Sequence, residues 1–454
     1  MIRRSDNTEL VLARLKDFQR RTAEYVFRRF YLDPAPTDRF LVADEVGLGK
    51  TLVARGIIAL AIEHLRAKVD RIDIVYICSN ISIASQNIHR LNVTGVQEFV
   101  RPTRLSLLPM HIAGIRKNHV NYVSLTPGTS FDPKSREGKD EERALIHLLL
   151  KGKLGVSPAG LRRLLQCRVN DENWRWWTYE WRPEALDKDV CDAFVKNVIE
   201  DQELCQQIAD FCALSKRRVL WDHPDRLELV SELRFRLAEM SVEMLEPDLI
   251  ILDEFQRFKN LLDHTNPEAR LAQKLFRYEQ VKTLLLSATP YKMLSLDHEQ
   301  DDDHYPDFLN TLRFLFDSES VIEALKREIQ AFRQSLYLVG SENGAVVSST
   351  RNALQSTLCR VMCRTERVGM TRSRDAMLSE SQEKPTLQPG DLQEAVLADR
   401  VASSVGARDI IEYWKSSPYL INFLRRYEFR RKLEAQCNDA SDELIAALSV
   451  DASR

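Results

Sequence analysis

Five short runs of this chain are apolar without alternation: "FLVA" at 40–43, "IDIVYIC" at 72–78, "VNYVSL" at 120–125, "LIILD" at 249–253 and "TLLLSA" at 283–288. A strand with one face in water alternates apolar and polar residues. A run that does not alternate is buried on both faces, as strands are in a parallel sheet covered by helices. Helical patterns or turns follow these runs, so the chain reads as α/β, with a doubly wound parallel sheet. Its 454 residues exceed what one core ordinarily holds, which predicts two or three units.

The first run leads into "DEVGLGKT" (44–51) and then a helix-like run. A glycine-rich turn between a strand and a helix makes a phosphate cradle, because glycines let backbone N–H groups approach and the helix N-terminus favours an anion. Gly47, Leu48, Gly49, Lys50, Thr51 and Leu52 are the nucleotide-binding candidates, with Lys50 reaching the β- and γ-phosphates and Thr51 ligating magnesium. Where a general P-loop has its first glycine, this chain has Asp44. The run "LIILDEF" places Asp253 and Glu254 at the carboxyl end of the sheet, where ligands of such folds sit. Asp253 is expected to hold the magnesium and Glu254 to orient or deprotonate the attacking water; with Lys50 they are the catalytic candidates. The alternative is a strand followed by a solvated helix start, for which Asp and Glu are good caps.

In these motifs the chain resembles the superfamily 2 helicases and translocases of bacterial type, which carry a RecA-like P-loop NTPase motor. "DEVGLGKT" resembles the Swi/Snf-type motif I, including its Asp44, and "DEFQ" resembles the DEAD/DEAH-type motif II with Gln256 in its last place. "SATP" resembles motif III, giving Ser287, Ala288 and Thr289 the task of coupling the nucleotide site to nucleic acid. "FQ" resembles the adenine-reading motif, with Gln19 at the base. Gln86 falls where motif Ia ends, and "TPGT" resembles motif Ib, so that Gln86, Thr126 and Gly128 would touch a nucleic-acid backbone. Order and spacing fit over about residues 15–290.

The resemblance implies ATP and Mg2+ as cofactors and an ATP hydrolase that moves on or remodels nucleic acid. Double-stranded DNA is favoured by the Swi/Snf look of motif I; an RNA-remodelling helicase is the nearest alternative, and a nucleotide-sensing binding module the alternative from another class. The family's second RecA-like lobe, with the Q-x-x-G-R-x-x-R pattern that supplies arginine fingers, is not found, so that lobe is expected in a longer or separate polypeptide. "CRTER" (363–367) resembles the segment that follows the first lobe, and "LINFLRRYEFRRKL" a bridge toward the second.

These readings divide the chain into a first part of the lobe (1–132), a mostly helical insertion (133–246), a second part of the lobe (247–295) and a helical extension toward the missing lobe (296–454). One amphipathic helix is expected across "LARLKDFQRRTAEYVFRRFY", and Trp174, Trp176, Trp177 and Trp181 are expected to form the insertion's own core. The formal net charge of -2 requires any nucleic acid to be met by a local basic surface. Eight cysteines without a C-x-x-C pair suit reduced thiols, and no apolar tract reaches membrane-spanning length, so a cytoplasmic protein without a membrane partner is expected.

Overall fold

Each of the five apolar runs contributes a strand, and a sixth joins them from far down the chain. The computed structural model describes residues 6–95, 99–131, 137–180, 186–214, 223–262, 269–287, 304–337, 344–366 and 389–406, with Lys432, Leu433, Ala435 and Ile445. In chain order the elements are α1 (Asp6–Ala13), α2 (Asp17–Tyr31), β1 (Arg39–Val42), α3 (Lys50–Leu65), β2 (Ile72–Cys78), α4 (Ile81–Leu91), α5 (Pro109–Ile115), β3 (Val120–Leu125) and α6 (Pro127–Ser130). There follow α7 (Asp140–Leu150), α8 (Pro158–Gln166), α9 (Asp171–Glu180), α10 (Lys188–Glu200), α11 (Gln202–Ala213) and α12 (Pro224–Glu243). The rest are β4 (Pro247–Asp253), α13 (Arg270–Phe276), β5 (Lys282–Leu286), α14 (His304–Phe316), α15 (Glu319–Tyr337), α16 (Gly344–Cys359), β6 (Met362–Cys363) and α17 (Pro389–Ser404).

The sheet order is β3-β2-β4-β5-β1-β6, and every neighbouring pair is parallel. Successive residues of each strand enter different cores. Phe40, Val42, Leu249 and Ile251 pack with residues of α1 to α4, whereas Leu41, Ala43, Ile250 and Leu252 pack with residues of α5, α13 and α14. Both faces are thus buried, which is why the runs do not alternate. Each such Leu, Ile or Phe contributes about 1.5–3 kcal/mol by leaving water.

The opening helix is two helices. Hydrogen bonds from Arg14 N to Val11 O and from Leu15 N to Leu12 O close a turn, and Lys16 is extended. Lys16 N then donates to Gln19 Oε1 at 3.0 Å, so Gln19 caps the helix that it sits in. The break leaves Leu12 and Leu15 both buried, close to Gly56 of α3.

Helices α7 to α12 build a core of their own that includes Leu145, Leu161, Trp174, Phe194, Ile208 and Leu233. The expected tryptophan cluster is corrected: Trp174 is buried, Trp177 packs at its edge, Trp176 is 54% exposed, and Trp181 lies outside the described residues. Helix α12 belongs to two cores, Leu229 to Leu237 to this one and Ala238 and Val242 to the sheet's. The insertion is therefore fused to the sheet, an attachment strengthened by buried Glu142, which meets Arg234 at 3.1 Å and accepts from Ser106.

The boundary drawn at residue 296 also changes. Arg39 Nη1 donates to Phe314 O at 2.6 Å, Tyr25 OH to Cys359 O at 2.8 Å, and β6 pairs with β1 through Leu41 N to Val361 O and Ala43 N to Cys363 O, both 2.8 Å. Residues 304–366 complete the sheet instead of leading away from it. By contacts the chain divides into Met1–Met377 and Leu378–Arg454. In the second unit α17 is described, and Lys432 Nζ donates to Gly406 O at 2.7 Å. Among the described residues no helix is long and apolar enough to cross a membrane, and the described cysteines are free thiols.

Candidate functional site

Between β1 and α3 the chain makes a loop that only glycine accommodates at two places. Gly47 has φ 82° and Gly49 φ 78°, left-handed values that a side chain disfavours. At Gly49 space is closed as well, since a Cβ there would lie 2.6 Å from Gln19 Nε2. That nitrogen donates to Leu48 O at 2.9 Å. Gln19, expected to read adenine, thus spends one atom on the cap of α2 and another on the loop; it is 4% exposed and holds the cradle in shape.

Beyond Gly49 the 16-residue α3 begins, and its N-terminal end carries a partial positive charge. Lys50 opens the helix, and its ammonium donates to Asp44 O at 2.9 Å and Glu45 O at 3.2 Å. Burial lowers the Lys50 pKa, while the charges of Asp44, Asp253 and Glu254 oppose that shift. Thr51 is half-buried, Leu48 is buried and Leu52 is 41% exposed.

Asp253 closes β4 at 8% exposure. Tyr76 of β2 donates its phenol to Asp253 Oδ2 at 2.6 Å, and Asn87 of α4 donates to the Tyr76 oxygen at 2.9 Å and to Asp253 Oδ2 at 3.4 Å. Burial raises the Asp253 pKa against the lowering by Tyr76 and Lys50, and nearby Glu254 adds to the rise. Glu254 has φ 53°, a left-handed value uncommon outside glycine, with its N–H on Leu286 O at 3.1 Å. Its carboxylate pairs with Arg257 Nε at 3.0 Å. Such strain at a residue between strand and loop is a feature of functional sites.

Ser287 is buried and its N–H donates to Val42 O at 3.1 Å, which ties the end of β5 to β1. Gln256 is half-buried with its Oε1 out of water, and Ala288 and Thr289 lie outside the described residues. Among the described residues no cluster of three or more His, Cys, Asp or Glu could hold a metal.

Asp44 is fully buried and serves as a latch. Its Oδ1 accepts from Thr365 N at 2.7 Å, Glu45 N donates to Thr365 O at 3.2 Å, and Arg364 Nη1 donates to Ala43 O at 3.4 Å. Burial raises the Asp44 pKa in spite of Thr365, Lys50 and Arg364. A glycine at position 44 would lose the carboxylate that joins the loop to the end of β6.

The sequence reading missed Tyr76, Asn87, Arg364 and Thr365. Asn87 carried a signal, because it falls in register with Ala84, Ile88 and Leu91 on the buried face of α4. Gln86, one residue earlier, is exposed on that helix. Of the other two candidate nucleic-acid contacts, Gly128 is exposed in the short α6 and Thr126 just before it is buried. No protein-family profile matches this chain, and a search of curated proteins returns no match.

Proposed function

We propose that the chain is the ATP-binding motor lobe of an ATP-dependent translocase or helicase, acting on nucleic acid with double-stranded DNA favoured. The carrying observation is that the loop after β1, with Lys50, and the carboxylates Asp253 and Glu254, which end and follow β4, stand at the carboxyl ends of two interior strands separated by β5 alone, within electrostatic reach of one another. The six-stranded parallel sheet is compatible with a RecA-like lobe.

In this reading the N-terminal end of α3 and Lys50 bind the phosphates, and Thr51 and Asp253 would hold Mg2+, which when bound would supply positive charge beside them. Glu254 leaves Arg257 to orient or deprotonate the attacking water. Lys50 leaves the carbonyls of Asp44 and Glu45 for the incoming phosphates, so a nucleotide exchanges two neutral acceptors for a charged one. Ser287 links the γ-phosphate side to nucleic acid, together with Gln256, Ala288 and Thr289, and Gln86, Thr126 and Gly128 contribute to the nucleic-acid track. A second lobe, in a longer or separate polypeptide, completes the catalytic charge.

Calorimetric titration with the β,γ-imido analogue of ATP tests the assignment. Lys50→Ala is expected to lose most of the affinity, whereas Glu254→Gln retains it and loses hydrolysis. Equal loss in both variants refutes the roles, and ATPase stimulated more by RNA than by duplex DNA refutes the preferred substrate.

A further inference from the structure

Arg39 opens β1, Lys282 opens β5 and Met362 opens β6. Because these neighbours run parallel, their amino ends share one edge of the sheet, opposite the loop after β1. A cavity of about 650 Å³ lies at that edge. Its lining includes Arg29 from α2, Asp38 and Arg39 at the start of β1, Arg277 and Glu279 before β5, and Arg360 before β6. Small-molecule sites commonly have such a size, roughly 300–1,000 Å³.

Four guanidiniums around one space repel one another unless something answers their charge. Two are answered within the protein. Arg29 pairs with Asp33 at 2.8 Å, and its Nε donates to Arg360 O at 3.1 Å. Arg39 is 7% exposed, lies 4.4 Å from the centre of the Phe314 ring, donates to Phe314 O and stands 3.5 Å from Asp317. Burial lowers the Arg39 pKa; Asp317 opposes that shift, and the charge of Arg277 adds to it. The other two are not answered. Arg277 and Arg360 are exposed, and among the described residues neither meets a carboxylate. Asp38 is already taken by Lys282 Nζ at 2.7 Å. Two of the four described non-glycine residues with left-handed backbones, Gln280 at φ 63° and Asp317 at φ 48°, line the same cavity. Backbone held in this way collects at ligand sites.

We propose that this cavity binds a phosphorylated small molecule, its phosphate oxygens held by Arg277 and Arg360 and its hydroxyl groups by Glu279. The planar fork of an arginine matches phosphate oxygens two at a time, and an exposed carboxylate suits hydroxyl donors. A bound phosphate relieves the repulsion between Arg277 and the buried Arg39. The exposed carboxylates Asp38, Glu279 and Asp317 favour a compact ligand, since a duplex backbone, charged at every step, would meet them along with the arginines. This site stands at the opposite end of β1 from Lys50, so it is separate from the nucleotide and independent of that reading.

Inorganic pyrophosphate is the probe, titrated calorimetrically without Mg2+ into the unsubstituted chain, Arg277→Gln, Arg360→Gln and Lys50→Ala, each shown by thermal melts to be folded. Both arginines are exposed and unpaired, so their variants should fold. The expected result is affinity reduced about tenfold or more in each arginine variant, as loss of a charge-assisted bond to phosphate dictates, and within about twofold of wild type in Lys50→Ala. Unchanged affinity in both arginine variants, a loss confined to Lys50→Ala, or no binding to the unsubstituted chain at millimolar pyrophosphate overturns the site. Duplex DNA that displaces pyrophosphate, and whose own affinity falls in the two arginine variants, makes the arginines a nucleic-acid surface and overturns the small-molecule assignment.

Discussion

Gly49→Ala strains two features at once. At φ 78° an alanine is left-handed, which costs about 1–2 kcal/mol, and its Cβ would sit 2.6 Å from Gln19 Nε2. Gln19 must move, which breaks its bond to Leu48 O and leaves buried polar atoms without partners, a loss of about 1–3 kcal/mol. The expected destabilisation is on the order of 2–5 kcal/mol, read as a fall in the urea midpoint at unchanged slope. Gln19→Ala alone adds no strain but loses that hydrogen bond, about 1–3 kcal/mol, together with the cap on Lys16 N. In the double variant the clash is gone and the bond to Leu48 O is lost once, so the combined effect should fall short of the sum by that one bond, about 1–3 kcal/mol. Additive effects, or a neutral Gly49→Ala, would refute the lock between Gln19 and the loop.

Two further outcomes follow from the buried carboxylates. Asp73, fully buried at the start of β2 near Asp248, has its pKa raised to about 6 by burial, and Asp248 likewise. A carboxyl with a raised folded pKa favours the folded state when protonated, so stability should fall as pH rises from about 4 to about 6. Asp73→Asn should remove part of that fall, on the order of 1–3 kcal/mol; urea melts across that range check it, and an unchanged slope counts against the assignment. Tyr76→Phe removes the donor that lowers the Asp253 pKa. On the nucleotide-binding reading, the acid limb of Mg2+-nucleotide affinity against pH should therefore move upward, and a profile identical to wild type excludes Tyr76 as a group that lowers the Asp253 pKa.

Much of the fold was written in local pattern. "FLVA", "IDIVYIC", "VNYVSL", "LIILD" and "TLLLSA" were legible as strands buried on both faces because burial on both sides removes alternation from the run itself. Gly47 and Gly49 were legible for a similar reason: a left-handed turn selects its residues within a few positions. The break between α1 and α2 was less legible, since the apolar spacing continues across it and the cap by Gln19 is a single hydrogen bond. Other features belong to the folded chain alone. Tyr76 and Asn87 meet Asp253 across 177 and 166 positions, and Asp44 meets Thr365 across 321. The two-residue β6 is too short to carry a period of its own, and it becomes a strand because β1 offers it an edge. Asp44 looks like a defect in a glycine-rich loop until Thr365 is beside it. A contact between distant segments leaves no spacing in either segment, so the neighbours of the loop after β1 were decided only when the sheet gathered β4, β5, β1 and β6 in that order.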